Sequence, residues 1–236
     1  MIRISWIGTD PRLRTLPGTA DTGHVPWIGV TLAQHERAEL VSTLTAVGES
    51  APTLCGDWTA KDLAAHLVVR ERRLDAAPGI LLPFLSGYTE KVQSNVAARP
   101  YRDLVAEVAS GPPLWSPFKV LDPLINVGEM FVHHEDLRRA KPEWAPRMLS
   151  VDLQNKLWSI AGLVGRLAYR ASPVGVDLVT PDGRTTTVKK AGGRRVVLTG
   201  APSELLLHAF GRDAVVLDFS GDPADVAAVQ GLNRSF

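Results

Sequence analysis

The sequence predicts an α+β fold: an antiparallel helical bundle up to about residue 170, then a small C-terminal α/β domain. Three observations carry this expectation. Between Thr31 and Arg170 apolar residues recur with a helical period over long segments, and short Gly- and Pro-rich connections join those segments as in an up-and-down bundle. At Pro173 the period shortens to that of strands. The composition, 45% hydrophobic and 22% charged over 236 residues, is that of a soluble globular chain able to bury a large core.

Residues 1–29 hold neither periodicity for long. Ile4–Ile7 is too short for the apolar core of a signal peptide, which runs about 7–15 residues. The stretch reads as a disordered tail, or as sequence upstream of the true start, and His24 within it is assigned no role. Leu32, Ala38, Val41, Leu44 and Val47 set a first helix at about 31–47, closed by Gly48 and Pro52. Thr59-Ala-Lys-Asp62 has the form of a capping box and starts a second helix, which runs to about Asp75 before Pro78-Gly79. A looser helical region covers 84–110 and breaks at Pro100, and Gly111-Pro112-Pro113 with Pro117 makes a rigid loop. Asp122-Pro123 supplies a cap and a first-turn proline for a helix to about Ala140. A fifth starts near Ser150, with Leu153, Leu157, Ile160, Val164 and Leu167 as its core stripe. In the C-terminal 171–236, strands at 174–180 and 185–189 flank Pro181-Asp182-Gly183, a hairpin signal. Arg195–Thr199 is a third strand, Pro202–Phe210 a helix ended by Gly211, and Ala214–Phe219 a fourth strand. Asp222-Pro223 starts the last helix.

Composition also excludes. No run approaches the roughly 20 apolar residues that a membrane span needs. Lys plus Arg is 26 and Asp plus Glu is 25, so the net charge of +1 argues against a nucleic-acid partner. One cysteine, Cys55, rules out an internal disulfide and suits a reducing cytoplasm; any metal must be held by His, Asp and Glu. Cys55 itself reads as a packing residue.

Glu129 and His133 stand four apart, which on a helix puts them about 40° apart on one face, able to share a cation. Asp136 falls on the same stripe, bordered by Ile125 and Leu137. Such a stripe is either a polar helix face with an i,i+4 contact or part of a metal site, since buried charge must be paired or coordinated. His66 lies on the edge of the Leu63, Leu67, Leu74 stripe of the second helix. It is either a core-edge histidine bonded to a carbonyl or a third ligand; two histidines and a glutamate leave a fourth position open, as in catalytic zinc sites. His134 lies about 100° round from His133 and reads as a residue behind the ligands or as packing. Asp136, about 4.5 Å further along the axis than His133, is expected to orient a ligand histidine rather than to bind the cation. His35 and His208 read as ordinary helix residues.

The string Leu54-Cys-Gly-Asp-Trp58-Thr59-Ala-Lys-Asp62-Leu63-Ala-Ala-His66-Leu67, followed by Arg70-Glu71, resembles the metal-binding N-terminal domain of the mycothiol-dependent maleylpyruvate isomerases, of the DinB-like superfamily. Glu129-x-x-x-His133-His134-x-Asp136-Leu137 is similar to the second half of that motif, and 200–212 more weakly to a stretch of the family's C-terminal domain. Within that family the string is similar to an actinobacterial subgroup described as metal-binding rather than to the isomerase itself. The resemblance implies a DinB-like bundle over 30–170 and a divalent metal, zinc above all, on His66, Glu129 and His133. It also implies mycothiol as a thiol cofactor. Arg212, following Gly211, is either a solvated arginine or a catalytic residue that grips a substrate carboxylate in a bidentate pair; Arg70 and Arg73, on the same face as His66, are rivals for that role and candidates to bind the cofactor.

Three functions follow as expectations: a mycothiol-dependent transferase or isomerase acting on a small electrophile, a metal-dependent hydrolase, or a non-catalytic metal- or ligand-binding module. The expected partners are a small-molecule thiol and substrate, with no nucleic acid and no membrane, in a monomer or homodimer.

Overall fold

A computed structural model describes residues 30–73, 75, 86–116 and 122–234 of the chain. The expected tail at 1–29, the stripe residue Leu74, the breaks at Pro78-Gly79 and Pro117, and the side chain of Ile125 lie outside the described residues. Several helices start on side chains that satisfy their free N–H groups. Helix α1 (Leu32–Val47) opens on a capping box, in which Thr31 Oγ1 accepts the Gln34 N–H and Gln34 Oε1 accepts the Thr31 N–H. The box expected for α2 (Ala60–Arg72) is formed: the Thr59 N–H donates to Asp62 Oδ2 at 2.9 Å, and the Asp62 N–H to Thr59 Oγ1 at 3.4 Å. Pro100 divides α3 (Ser86–Ala97) from α4 (Tyr101–Ser110). The long helix α5 (Asp122–Arg138) follows, and Ser150 caps α6 (Val151–Ala168) by accepting the Leu153 N–H.

The C-terminal layer has strands β1 (Gly175–Val179), β2 (Thr185–Lys189) and β3 (Arg195–Thr199), helix α7 (Pro202–Ala209), strand β4 (Asp218–Ser220) and helix α8 (Pro223–Gln230). The sheet order is β2-β1-β3-β4; β1 is antiparallel to β2 and parallel to β3, and β4 closes antiparallel on β3. The fourth strand is shorter than the 214–219 expected. The reason is that its first backbone groups are taken by buried side chains: Arg139 donates to the Ala214 carbonyl, and the Val216 N–H donates to Glu204.

Two hydrophobic cores meet at α5. Met130 and Leu137 face one core, with Leu40 and Leu44 of α1, Leu63 and Leu67 of α2, and side chains of α3 and α4. Val127 and Phe131 face the other, with Leu153, Leu157 and Ile160 of α6, the inner sheet residues Val176, Leu178, Val196 and Leu198, and α7. The residues on the remaining face of α5 are therefore carried at the junction of the two layers.

Two stripes differ from expectation. On α1 the inward face is Ala33, Glu36, Arg37, Leu40 and Leu44, whereas Ala38 is exposed. Two charges can sit inward because both are paired, Glu36 with Arg147 and Arg37 with Glu71. On α6, Leu167 is exposed and the inward face is completed by Ala161, Gly165 and Ala168. The helix lies close on the sheet: a Cβ at Gly165 would meet Val188 Cγ1 at 2.8 Å, so a larger residue there would push α6 away. Among the described residues no helix is long and apolar enough to cross a membrane.

Candidate metal centre

His66 comes from the middle of α2, and Glu129 and His133 from adjacent turns of α5. One ligand atom from each lies within 4.8 Å of the other two. Glu129 Oε2 is 3.4 Å from His133 Nε2, and the His66 and His133 rings stand 5.3 Å apart edge to face. In a tetrahedral zinc site with bonds of about 2.1 Å, neighbouring ligand atoms are about 3.4 Å apart, so this donor set fits a divalent cation with little movement. Both histidines are buried.

The electrostatics suit the same purpose. Burial and the nearby charge of His133 push the His66 pKa down to about 4, leaving it the neutral imidazole that metals bind. Burial alone would raise Glu129; its hydrogen bond to His133 and the charges of Arg70, His133 and His66 outweigh that and bring it down to about 2. Burial also opposes charge on His133, but bonds to Asp136, Cys55 and Glu129 raise its pKa well above the usual value, so a cation would replace a proton there.

Neighbouring residues fix the ligand rings. His133 Nδ1 lies 3.0 Å from Asp136 Oδ2, which directs Nε2 toward Glu129. His66 is hydrogen-bonded to Gln93 on α3 and has the Trp58 ring 5.1 Å away, centre to centre. The wholly buried Asp136 is held by Arg212, Nε to Oδ1 at 2.8 Å and Nη2 to Oδ2 at 2.7 Å. Bonds to His133 and Arg212 overcome burial and keep its carboxyl ionised far below the ordinary range.

Cys55, His133 and Asp136 form a second group with metal-ligand spacing. Here the Arg212 guanidinium already occupies the place of a cation, on both oxygens of Asp136 and 3.5 Å from Cys55 Sγ. A metal there would face a fixed positive charge at contact distance. The first group is the one that fits.

The remaining expected residues are dispersed. His134 points away, its Nε2 2.8 Å from Thr43 Oγ1 on α1 and its Nδ1 3.9 Å from Glu36; it packs two helices together and is not behind the ligands. Arg70 is buried beside the group, donating to Asn126 at 2.8 Å with Nε 3.6 Å from Glu129. Arg73 is not at the site: it ends α2 and pairs with Asp75 on the surface. Arg212 reaches the site, but the edge expected to grip a substrate carboxylate is taken by Asp136, and Nη1 donates to the Phe210 carbonyl. Gly211, at φ 81°, makes the turn that aims it inward.

Sequence reasoning missed Gln93 and gave Cys55 only a packing role. Cys55 Sγ donates to Asp136 Oδ2 at 3.0 Å, and its loop is docked on α5 by the bond from the Leu54 N–H to the Asp136 carbonyl. Neither contact has a local signal, since each joins residues far apart in the chain. A cavity of about 530 Å³ opens over the group, with Cys55, Trp58, His66, Glu129, His133 and Arg212 in its wall.

Residues 30–111 match the family model described as the mycothiol maleylpyruvate isomerase N-terminal domain. The fold is similar to the crystal structure of the mycothiol-dependent maleylpyruvate isomerase, with a TM-score of 0.55 over 80% of this chain and 90% of that one, at 15% sequence identity. No curated protein matches the chain in sequence. In sequence over residues 30–111, and in fold over most of its length, the chain resembles the mycothiol-dependent maleylpyruvate isomerases.

Proposed function

We propose that the protein binds a divalent metal, zinc by preference, on His66, Glu129 and His133, and acts as a mycothiol-dependent transferase or isomerase on a small electrophile. The observation that carries this reading is the convergence of these three donors in the wall of a cavity large enough for small molecules. When bound, such a cation supplies the Lewis acidity that keeps a coordinated thiol deprotonated at neutral pH.

The chain's own residues prepare the site for that chemistry. Asp136 and Gln93 hold the two imidazoles in place, so little rearrangement accompanies ligand entry. Among the described residues the donor set has three members, so a four-coordinate cation held by them would keep one position for a small ligand. Arg212 lines the cavity beside Cys55 and, through its paired bonds to Asp136, keeps that carboxylate aimed at His133.

Cobalt in place of the native metal, titrated with mycothiol, tests the reading. A sulfur-to-metal charge-transfer band is expected. If no thiol perturbs the cobalt spectrum at about millimolar concentration, far above the affinity a working cofactor needs, the thiol-dependent reading falls. Turnover of electrophiles or esters without thiol would then point to a hydrolase.

A further inference from the structure

We infer that Arg139 is a positioning residue for Arg212, because it holds both ends of the chain segment that carries Arg212 to the cavity. The inference deepens the reading above and rests on it for the part Arg212 plays beside a bound thiol.

Arg139 directly follows α5, three residues after Asp136, and its side chain is 1% exposed. Nε donates to Glu135 Oε2 at 2.6 Å. The other two nitrogens meet Glu204 in the first turn of α7, Nη1 to Oε2 at 2.8 Å and Nη2 to Oε1 at 2.6 Å. Nη1 also donates to the Ala214 carbonyl at 2.7 Å, two residues beyond Arg212. Glu204 Oε2 closes the arrangement by accepting the Val216 N–H at 2.9 Å. One guanidinium therefore touches the segment before and after Arg212, and the turn at Gly211 lies between the two contacts.

Charge balance alone would not require this geometry, since a lysine would also offset the two buried glutamates. The planar guanidinium does more: its rigid donors set the separation of Glu204 and Ala214, which a single ammonium cannot do. Asp136 and Arg139 sit on the same helix end, so α5 supplies both the acceptor that Arg212 grips and the frame that brings Arg212 to it. Arg147 provides a natural contrast. It shares the same buried ion network, bonding Glu135 at 2.7 Å and Glu36 at 2.6 Å, but none of its bonds reaches 204–216.

A double-mutant cycle on the full chain with Arg139→Lys, Arg212→Gln and the pair tests this, with Arg147→Lys as control. Two readouts are used. The first is the rate at which iodoacetamide alkylates Cys55, the single cysteine, in metal-free protein; Arg212 Nη2 is 3.5 Å from its sulfur, so displacing Arg212 alters that rate. The second is the mycothiol dissociation constant from the cobalt band. Arg139→Lys should shift both in the same direction as Arg212→Gln and by at least about twofold, the lower end of coupling through a shared network or backbone shift. In the Arg212→Gln background it should add nothing, and Arg147→Lys should leave both unchanged. Additive effects, or an equal shift from Arg147→Lys, would overturn the inference. If wild-type protein gives no cobalt band with mycothiol, the thiol reading fails, and the alkylation cycle still decides the role of Arg139. Glu204→Gln, which weakens the same clamp, replaces Arg139→Lys if that variant does not fold.

Discussion

Arg212 grips Asp136 through two parallel bonds across 76 positions of chain, and the Asp136 oxygen that accepts from Nη2 is the one 3.0 Å from His133 Nδ1. A single buried carboxylate thereby ties a candidate metal ligand on the helical side to an arginine of the C-terminal layer. Asp136→Asn keeps the shape but removes the charge. Zinc affinity should fall about 10- to 100-fold without disappearing, the usual effect of losing a carboxylate behind a ligand histidine. Competition with a chromogenic chelator measures it, and unchanged affinity would reduce the contact to a packing feature.

Alanine at His66, Glu129 or His133 should each remove stoichiometric metal, read by elemental analysis of the purified protein. Two histidine and arginine controls separate site from scaffold. Arg73→Ala should retain full metal content, because its partner is Asp75 on the surface. His134→Ala should also retain metal but lose stability of roughly 1–3 kcal/mol, since it leaves Thr43 without its partner and a void between α1 and α5.

Gln93 acts on His66 from a third helix. Gln93→Leu should keep the fold and reduce zinc affinity about tenfold, at the lower end of such effects, because the ring is no longer held in one orientation. Metal titration followed by circular dichroism checks both halves of the expectation.

His208 provides the pH dependence. It is buried with Nδ1 2.6 Å from the Tyr169 hydroxyl, and burial followed by the charge of Arg234 lowers its pKa to about 3. The unfolded chain takes up that proton near pH 6.5 but the folded chain only near pH 3. The stability contributed by the neutral His208 is therefore complete above about pH 6.5 and declines as pH falls toward about 3, by up to about 1.4 kcal/mol per pH unit. His66 adds a second such decline in metal-free protein. Denaturant unfolding of metal-free His208→Gln should show a shallower fall than wild type between about pH 6.5 and pH 5; parallel curves would mean that His208 is not held neutral.

Much of the fold could be read along the chain because its signals are local. The Thr59 capping box, the break at Pro100, the Ser150 start and the change of period after Pro173 each depend on residues within a few positions of one another. The inward faces of α1 and α6 were less legible. Glu36 and Arg37 turn inward only because Arg147 and Glu71 meet them there, and Leu167 turns outward because Gly165 lets α6 settle on Val188.

The same division runs through the candidate site. The spacing of Glu129 and His133 places both on one side of a helix whatever the rest of the chain does, so that pair is a property of the sequence itself. The arrival of His66 opposite them, of Gln93 behind it, and of Arg212 on Asp136 depends on packing between helices and layers far apart in the chain. A side chain's direction on its own helix follows from periodicity, but the partner it meets is set by how the cores on either side of α5 close. Only that closure commits the bidentate edge of Arg212 to a carboxylate of its own chain, where the sequence had left it free for a substrate.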